Sequence, residues 1–187
     1  MPYGVTMFAD SDTEAVIWNI WNKLKESGIT TFMLDNKVRP HITMAVYDEL
    51  DTEKFLEKFL VFVRDSSPVP LILSSVGTFL EPLGTVFVQP ALTPQLTEMH
   101  RDFLERFSDH NAHLQKYSRP GKWIPHFTLS SRLEEREVLK TVEMALGAEF
   151  PPESLIQEIG FGEFRFHEEN RSYRVNWLYN FSLSDKP

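Results

Sequence analysis

No cysteine occurs among the 187 residues. Disulfides, thiolate catalysis and cysteine-based zinc sites are thereby excluded, and the chain suits a reducing cytoplasm, its expected compartment. No apolar run approaches the roughly 18 residues that a membrane span requires. Met1-Pro2-Tyr3-Gly4 is not the basic opening of a secretory signal, so neither membrane insertion nor export is expected. Positive charge is scarce as well: 19 Lys and Arg against 27 Asp and Glu leave a formal charge of −8. A protein that grips long duplex nucleic acid usually presents a basic face, so that class of partner is not expected.

What is abundant is apolar material. Hydrophobic residues make up 42% of the chain, including 15 Phe and 4 Trp, enough to fill a sizeable core. The few cations are not evenly spread. Between Asn111 and Leu133 there is no acidic residue, while Lys116, Arg119, Lys122 and Arg132 all occur. Acidic residues crowd Asp48 to Glu57 and Glu134 to Glu143, as on solvated helix faces. The pattern predicts an acidic exterior with one locally positive approach, suited to a small or terminal phosphate.

Within that approach lies one copy of a repeated tetrapeptide. Pro125-His126-Phe127-Thr128 echoes Pro40-His41-Ile42-Thr43, with the histidines 85 positions apart. The flanking runs, Val38 to Tyr47 and Trp123 to Leu129, read as strands. Successive strand side chains alternate faces, so His41 and Thr43 share one face and Ile42 the other, and likewise His126 and Thr128 around Phe127. Two imidazoles and two hydroxyls so placed are the parts needed for acid–base chemistry on a phosphate.

The surrounding elements repeat too. Tyr3 to Phe8 reads as a strand. A helix capped by Ser11 and Glu14 follows, with the stripe Ile17, Ile20, Trp21 and Leu24. After the His41 strand comes a helix from about Asp51 with Phe55, Leu56, Phe59, Leu60 and Val63 inward, then a strand from Leu71 to Phe79. The second half gives a strand at Gly84 to Val88 and a helix capped by Thr93 with Pro94 at its first position. That helix carries Leu96, Met99, Phe103, Leu104 and Phe107. The His126 strand follows, then a helix capped by Ser131 and Glu134 with Val138, Leu139, Val142 and Leu146 inward. Strands at Leu155 to Phe166 and Tyr173 to Leu183 flank a turn at Glu168 to Arg171. The expectation is one α+β domain over residues 1–187, with lobe-level repeats at roughly 3–79 and 84–183. A pseudo-two-fold axis would then bring His41 to face His126 across a central groove.

The two His-x-Thr motifs, with Tyr117-Ser118-Arg119-Pro120-Gly121-Lys122-Trp123-Ile124 leading to the second, resemble the 2H phosphoesterase superfamily, and within it the 2′,5′ RNA ligase and cyclic phosphodiesterase families. The resemblance implies a bilobal fold of two antiparallel sheets with helices packed outside. It also implies metal-independent hydrolysis of 2′,3′-cyclic phosphates or 2′,5′ linkages of nucleotides or RNA ends, with reverse RNA ligation in some members. His41, Thr43, His126 and Thr128 are then the expected catalytic residues, with Tyr117 and Arg119 as substrate contacts. Arg39, Lys122 and Trp123 are weaker candidates of the same kind. No cofactor or metal is expected, the substrate being a nucleotide cyclic phosphate or RNA terminus, and the protein is expected to act as a monomer.

The remaining histidines read as structural: His100 packed or at the surface, His110 and His113 at a helix end without carboxylates to complete a metal site, His167 solvated. A catalytically idle nucleotide- or RNA-end-binding module is the competing class, and a protein–protein scaffold a third.

Overall fold

Helix starts in this chain are set by side chains that accept orphan backbone N–H groups. The computed structural model describes residues 2–80, 84–167 and 172–184; the turn expected at Glu168 to Arg171 lies outside them. Asp10, not Ser11, caps the helix α1 (Ser11–Glu26), accepting from the Thr13 amide at 2.9 Å. Its second oxygen accepts from the Ser154 hydroxyl and the Leu155 amide at 2.6 Å each. One carboxylate therefore starts a helix and ties it to a strand 144 residues away, which a hydroxyl at position 11 could not do. Thr93 caps α4 (Pro94–Arg106) as the sequence predicts. α5 (Glu135–Leu146) is capped by Glu134 with Glu137 reciprocating, three residues later than the expected Ser131 start.

The first repeat comprises β1 (Tyr3–Ala9), α1, a one-turn helix α2 (Phe32–Asp35), β2 (Ile42–Tyr47) and α3 (Thr52–Asp65), then β3 (Val69–Leu71) and β4 (Leu73–Thr78). The second comprises β5 (Val86–Pro90), α4, β6 (Phe127–Ser130), α5, β7 (Ser154–His167) and β8 (Ser172–Ser182). The expected continuous strand from Leu71 to Phe79 is broken at Ile72, and its two pieces end at opposite edges of the sheet.

In the described residues all eight strands are antiparallel to their partners, in the order β3-β7-β1-β2-β6-β5-β4, with β8 on β7. The central six strands, β7-β1-β2-β6-β5-β4, are arranged symmetrically about the β2–β6 junction, with β3 and β8 added at one side. Each repeat lends one strand to the other half, β4 of the first pairing with β5 and β7 of the second pairing with β1. The α+β architecture is thus one continuous eight-stranded antiparallel sheet, not the two separate sheets expected, because β2 and β6 join its halves at one seam. That seam is a single Cα pair, Ile42 with Phe127.

One apolar cluster backs the sheet. Ile17, Ile20, Trp21 and Leu24 of α1 are buried in it as expected. On α3 the buried residues are Phe55, Phe59, Phe62 and Val63, while Leu60 is exposed. The i, i+4, i+7 series from Phe55 runs through Phe62, and Leu60 falls off that face. On α5, Leu139 and Leu146 are exposed and the inward stripe is Val138, Thr141, Val142 and Ala145. No helix among the described residues is long and apolar enough to cross a membrane.

Candidate active site

Proline carries no N–H and disfavours the helical region for the residue before it. Pro40 and Pro125 therefore hold the chain extended into each motif without adding a ladder bond. As a result both histidines sit just outside the strands predicted to contain them, one residue before β2 and β6. Each imidazole turns back on its own backbone: His41 Nδ1 lies 2.7 Å from the Arg39 carbonyl, and His126 Nδ1 lies 2.7 Å from the Ile124 carbonyl. A carbonyl only accepts, so Nδ1 carries the proton in both rings and Nε2 is left to act.

The seam places these rings. Ile42 and Phe127, directly opposed, are fully buried. Counting one residue outward in the antiparallel register sets His41 opposite Thr128, and Thr43 opposite His126. Alternation turns all four away from the core onto the other face, where each is partly exposed. The four predicted site residues are thus brought together at the centre of the sheet.

Aromatic rings wall the two histidines. Phe8 and Trp177 stand edge-on to His41 at centroid distances of 6.4 and 5.6 Å. Phe79 stands edge-on to His126 at 5.0 Å and Phe87 lies tilted against it at 5.2 Å. This shell withholds water, and burial pushes the His41 imidazole down to about 4. The nearby His126 and Arg39 cations push in the same direction, against the bond to the Arg39 carbonyl. His126 is also held below its ordinary value, chiefly by burial.

Arg39 is not a loose phosphate contact. Its guanidinium is shared between Glu158, at 2.8 and 2.9 Å, and Glu14, at 2.9 and 3.2 Å, and it lies 4.1 Å over the Phe8 ring. The same residue supplies the backbone carbonyl that His41 Nδ1 meets. Arg119 is likewise turned away: it donates to the Leu114 carbonyl and lines a separate cavity with Arg101 and Pro120.

Tyr117, Lys122 and Trp123 do reach the site. Past the seam no further β2–β6 pair forms among the described residues, and a cavity of about 280 Å³ lies between β2 and the segment leading into β6. Thr43 and His126 form its floor beside Phe79, Tyr117, Lys122, Trp123 and Ile124. The edge of β2 that β6 leaves open is taken by the cation-bearing loop. Gln115 N donates to Val46 O at 2.8 Å, Val46 N to Ser118 Oγ at 2.9 Å, and Trp123 Nε1 to Thr43 O at 2.8 Å. His100 is buried, not at the surface, and His110 and His113 belong to a 3₁₀ turn, Ser108–His113. Among the described residues no group of three or more His, Asp or Glu could hold a metal ion.

Sequence reasoning missed Trp177, Phe8 and Phe87 as walls of the site. Nothing local marks them, because the β7–β8 hairpin brings Trp177 to His41 across 136 positions of sequence.

A family model for the 2′-5′ RNA ligase superfamily matches residues 13–165. The chain belongs to the 2′-5′ RNA ligase superfamily. Solved structures agree on the fold of this superfamily member. TT0787 of Thermus thermophilus superposes with a TM-score of 0.66 at 14% identity, covering 98% of each chain. E. coli LigT in its apo form gives 0.61 at 17% identity, again over 98% of each chain. The complex of E. coli LigT with 3′-AMP gives 0.59 at 17% identity over the same share of each. No curated protein matches the chain in sequence.

Proposed function

We propose that this superfamily member is a phosphodiesterase of one domain, acting in the cytoplasm without a metal, that hydrolyses 2′,3′-cyclic phosphates or 2′,5′ linkages of nucleotides or RNA ends. One observation carries the reading: two imidazoles flank the seam, each with Nδ1 tied to the carbonyl two residues earlier at 2.7 Å. Both therefore present Nε2, which accepts a proton when the ring is neutral and donates one when it is cationic.

One ring takes a proton from water as its oxygen attacks phosphorus. The other gives a proton to the departing ribose oxygen as the P–O bond breaks. The two rings exchange protonation states and reset through solvent. Thr43 and Thr128 donate hydrogen bonds to the non-bridging oxygens, where charge builds in the transition state. When a 5′-hydroxyl replaces water, the same transfer joins RNA ends through a 2′,5′ bond.

A nucleotide ligand is supported by the aromatic cavity beside His126, with Lys122 at its wall. Among similar folds, E. coli LigT has been solved with 3′-AMP, with ATP and with phosphate. The net charge of −8 supports a short RNA terminus over a long duplex as partner.

The test is turnover in chelator of nucleoside 2′,3′-cyclic phosphates, ADP-ribose cyclic phosphate and 2′,5′-linked dinucleotides, with products identified by phosphorus NMR. Phosphomonoester product from at least one supports the enzyme. Nucleotide binding with no product from any would replace it with a binding module.

A further inference from the structure

His100 is a buried titratable group that the proposed chemistry does not use. It lies on α4, 5% exposed, with Nε2 3.1 Å from the Ser118 carbonyl. Its ring also meets the Met44 carbonyl of β2, so it bridges α4, β2 and the segment that leads from α4 to β6. Its most specific contact is with Trp123: the two rings are parallel within 4°, with centroids 3.9 Å apart.

Trp123 is therefore fixed two ways and still faces the cavity. His100 covers one face, the indole Nε1 is anchored to Thr43 O at 2.8 Å, and the ring still forms part of the cavity wall beside His126. A large aromatic whose rear face and polar edge are both occupied has one surface left to offer, and it is presented without further loss of rotamer freedom. Bases stack on such surfaces regardless of sequence, because every base has a π-face.

We propose that His100 is a positioning residue which holds Trp123 as a rigid platform for the base of the substrate. This rests on the enzyme reading above and adds to it where the nucleoside lies and what sets its affinity. Burial pushes the His100 ring down to about 4, against its bonds to the two carbonyls, so it is neutral at neutral pH.

The test compares H100F, which keeps an aromatic ring behind Trp123, with H100L, which does not. KM and kcat are measured on a nucleoside 2′,3′-cyclic phosphate and on ribose 2,3-cyclic phosphate, which lacks a base. Affinity for 3′-AMP is read by calorimetry. H100L is expected to raise KM for the nucleoside substrate about tenfold, the usual order for one stacked base. KM on the base-free substrate should stay within about twofold, and H100F should restore most of the loss. W123L should reproduce the H100L pattern, and it stands in should H100L fail to fold. Wild-type KM in H100L or W123L, or an equal rise on both substrates, would overturn the proposal. If wild type turns over neither substrate, the enzyme reading fails. The 3′-AMP affinities then decide the platform: weaker binding by H100L supports it, and equal binding overturns it.

Discussion

Ile42 and Phe127 are directly opposed across the centre of the sheet, and among the described residues they form the sole Cα pair between β2 and β6. The shared face of the four motif residues follows from that pair. It is buried, so the residues one step outward face the other way, and those are the two histidines and two threonines. Because no further β2–β6 pair forms, a cavity opens beside His126 and Thr43 and not beside a continuous ladder.

Removing one threonine hydroxyl while keeping its shape isolates its share of the chemistry. T43V and T128V are each expected to lower kcat by about 10²–10³-fold with little change in KM, as for loss of one donor to a developing oxyanion. Steady-state kinetics on a nucleoside 2′,3′-cyclic phosphate checks this, and a pure KM effect would count against the assignment.

The pH dependence of kcat/KM reports the free enzyme. Both imidazoles are held below their ordinary value of 6.5, His41 at about 4. The singly protonated pair is therefore most populated below pH 6.5. A bell with its maximum on the acid side of 6.5 is expected, its limbs belonging to the coupled pair. An optimum above pH 8 would contradict the buried, aromatic setting of the rings.

Stability should fall in the same range. His41 and His100 are both pushed down to about 4, against about 6.5 in an unfolded chain. Between these values the unfolded state binds more protons, so stability is full above pH 6.5 and is lost as the pH falls towards 4. The drop in Tm from pH 7 to pH 4.5 should be on the order of 10 °C. H100F should flatten part of the slope, and a Tm unchanged over this range would contradict the assignment.

Arg39 should matter to both stability and rate. Its two carboxylate partners are partly buried, so R39A strands them and is expected to destabilise by about 2–3 kcal/mol. It also loosens the carbonyl that orients His41, so kcat should drop at a temperature where the variant is fully folded. Thermal melts and kinetics together separate the two effects.

Gly160 is a packing requirement of the same region. An added Cβ would meet the Asn180 side chain and come within 2.6 Å of the Phe8 ring, which lies edge-on to His41. G160A is expected to cost about 1–3 kcal/mol, measured by chemical denaturation. A neutral result would mean that the Phe8 ring has room to move.

The order of elements, the helix stripes on α1 and α4, and the shared face of the four His-x-Thr residues were legible because each depends on local periodicity or on a repeated motif. The helix starts at Asp10 and Glu134 were misplaced because several polar residues compete to cap, and tertiary contacts such as Ser154 with Asp10 choose between them. Arg39 and Arg119 looked like phosphate contacts from charge alone. Their guanidinium groups are instead taken by Glu14, Glu158 and the Leu114 carbonyl, partners that composition does not pair with them. Trp177 and the stacking of His100 on Trp123 were hidden because they join elements far apart in the chain.

The central claim is that His41 and His126 act as one unit on one phosphate, and a double-mutant cycle addresses it directly. With kcat/KM measured for wild type, H41A, H126A and the double variant on one nucleoside 2′,3′-cyclic phosphate, each single change should lose about 10²–10⁴-fold. The double variant should then be no slower than the slower single one, as for groups that work together. Losses that simply multiply, or wild-type activity in either single variant, would contradict it.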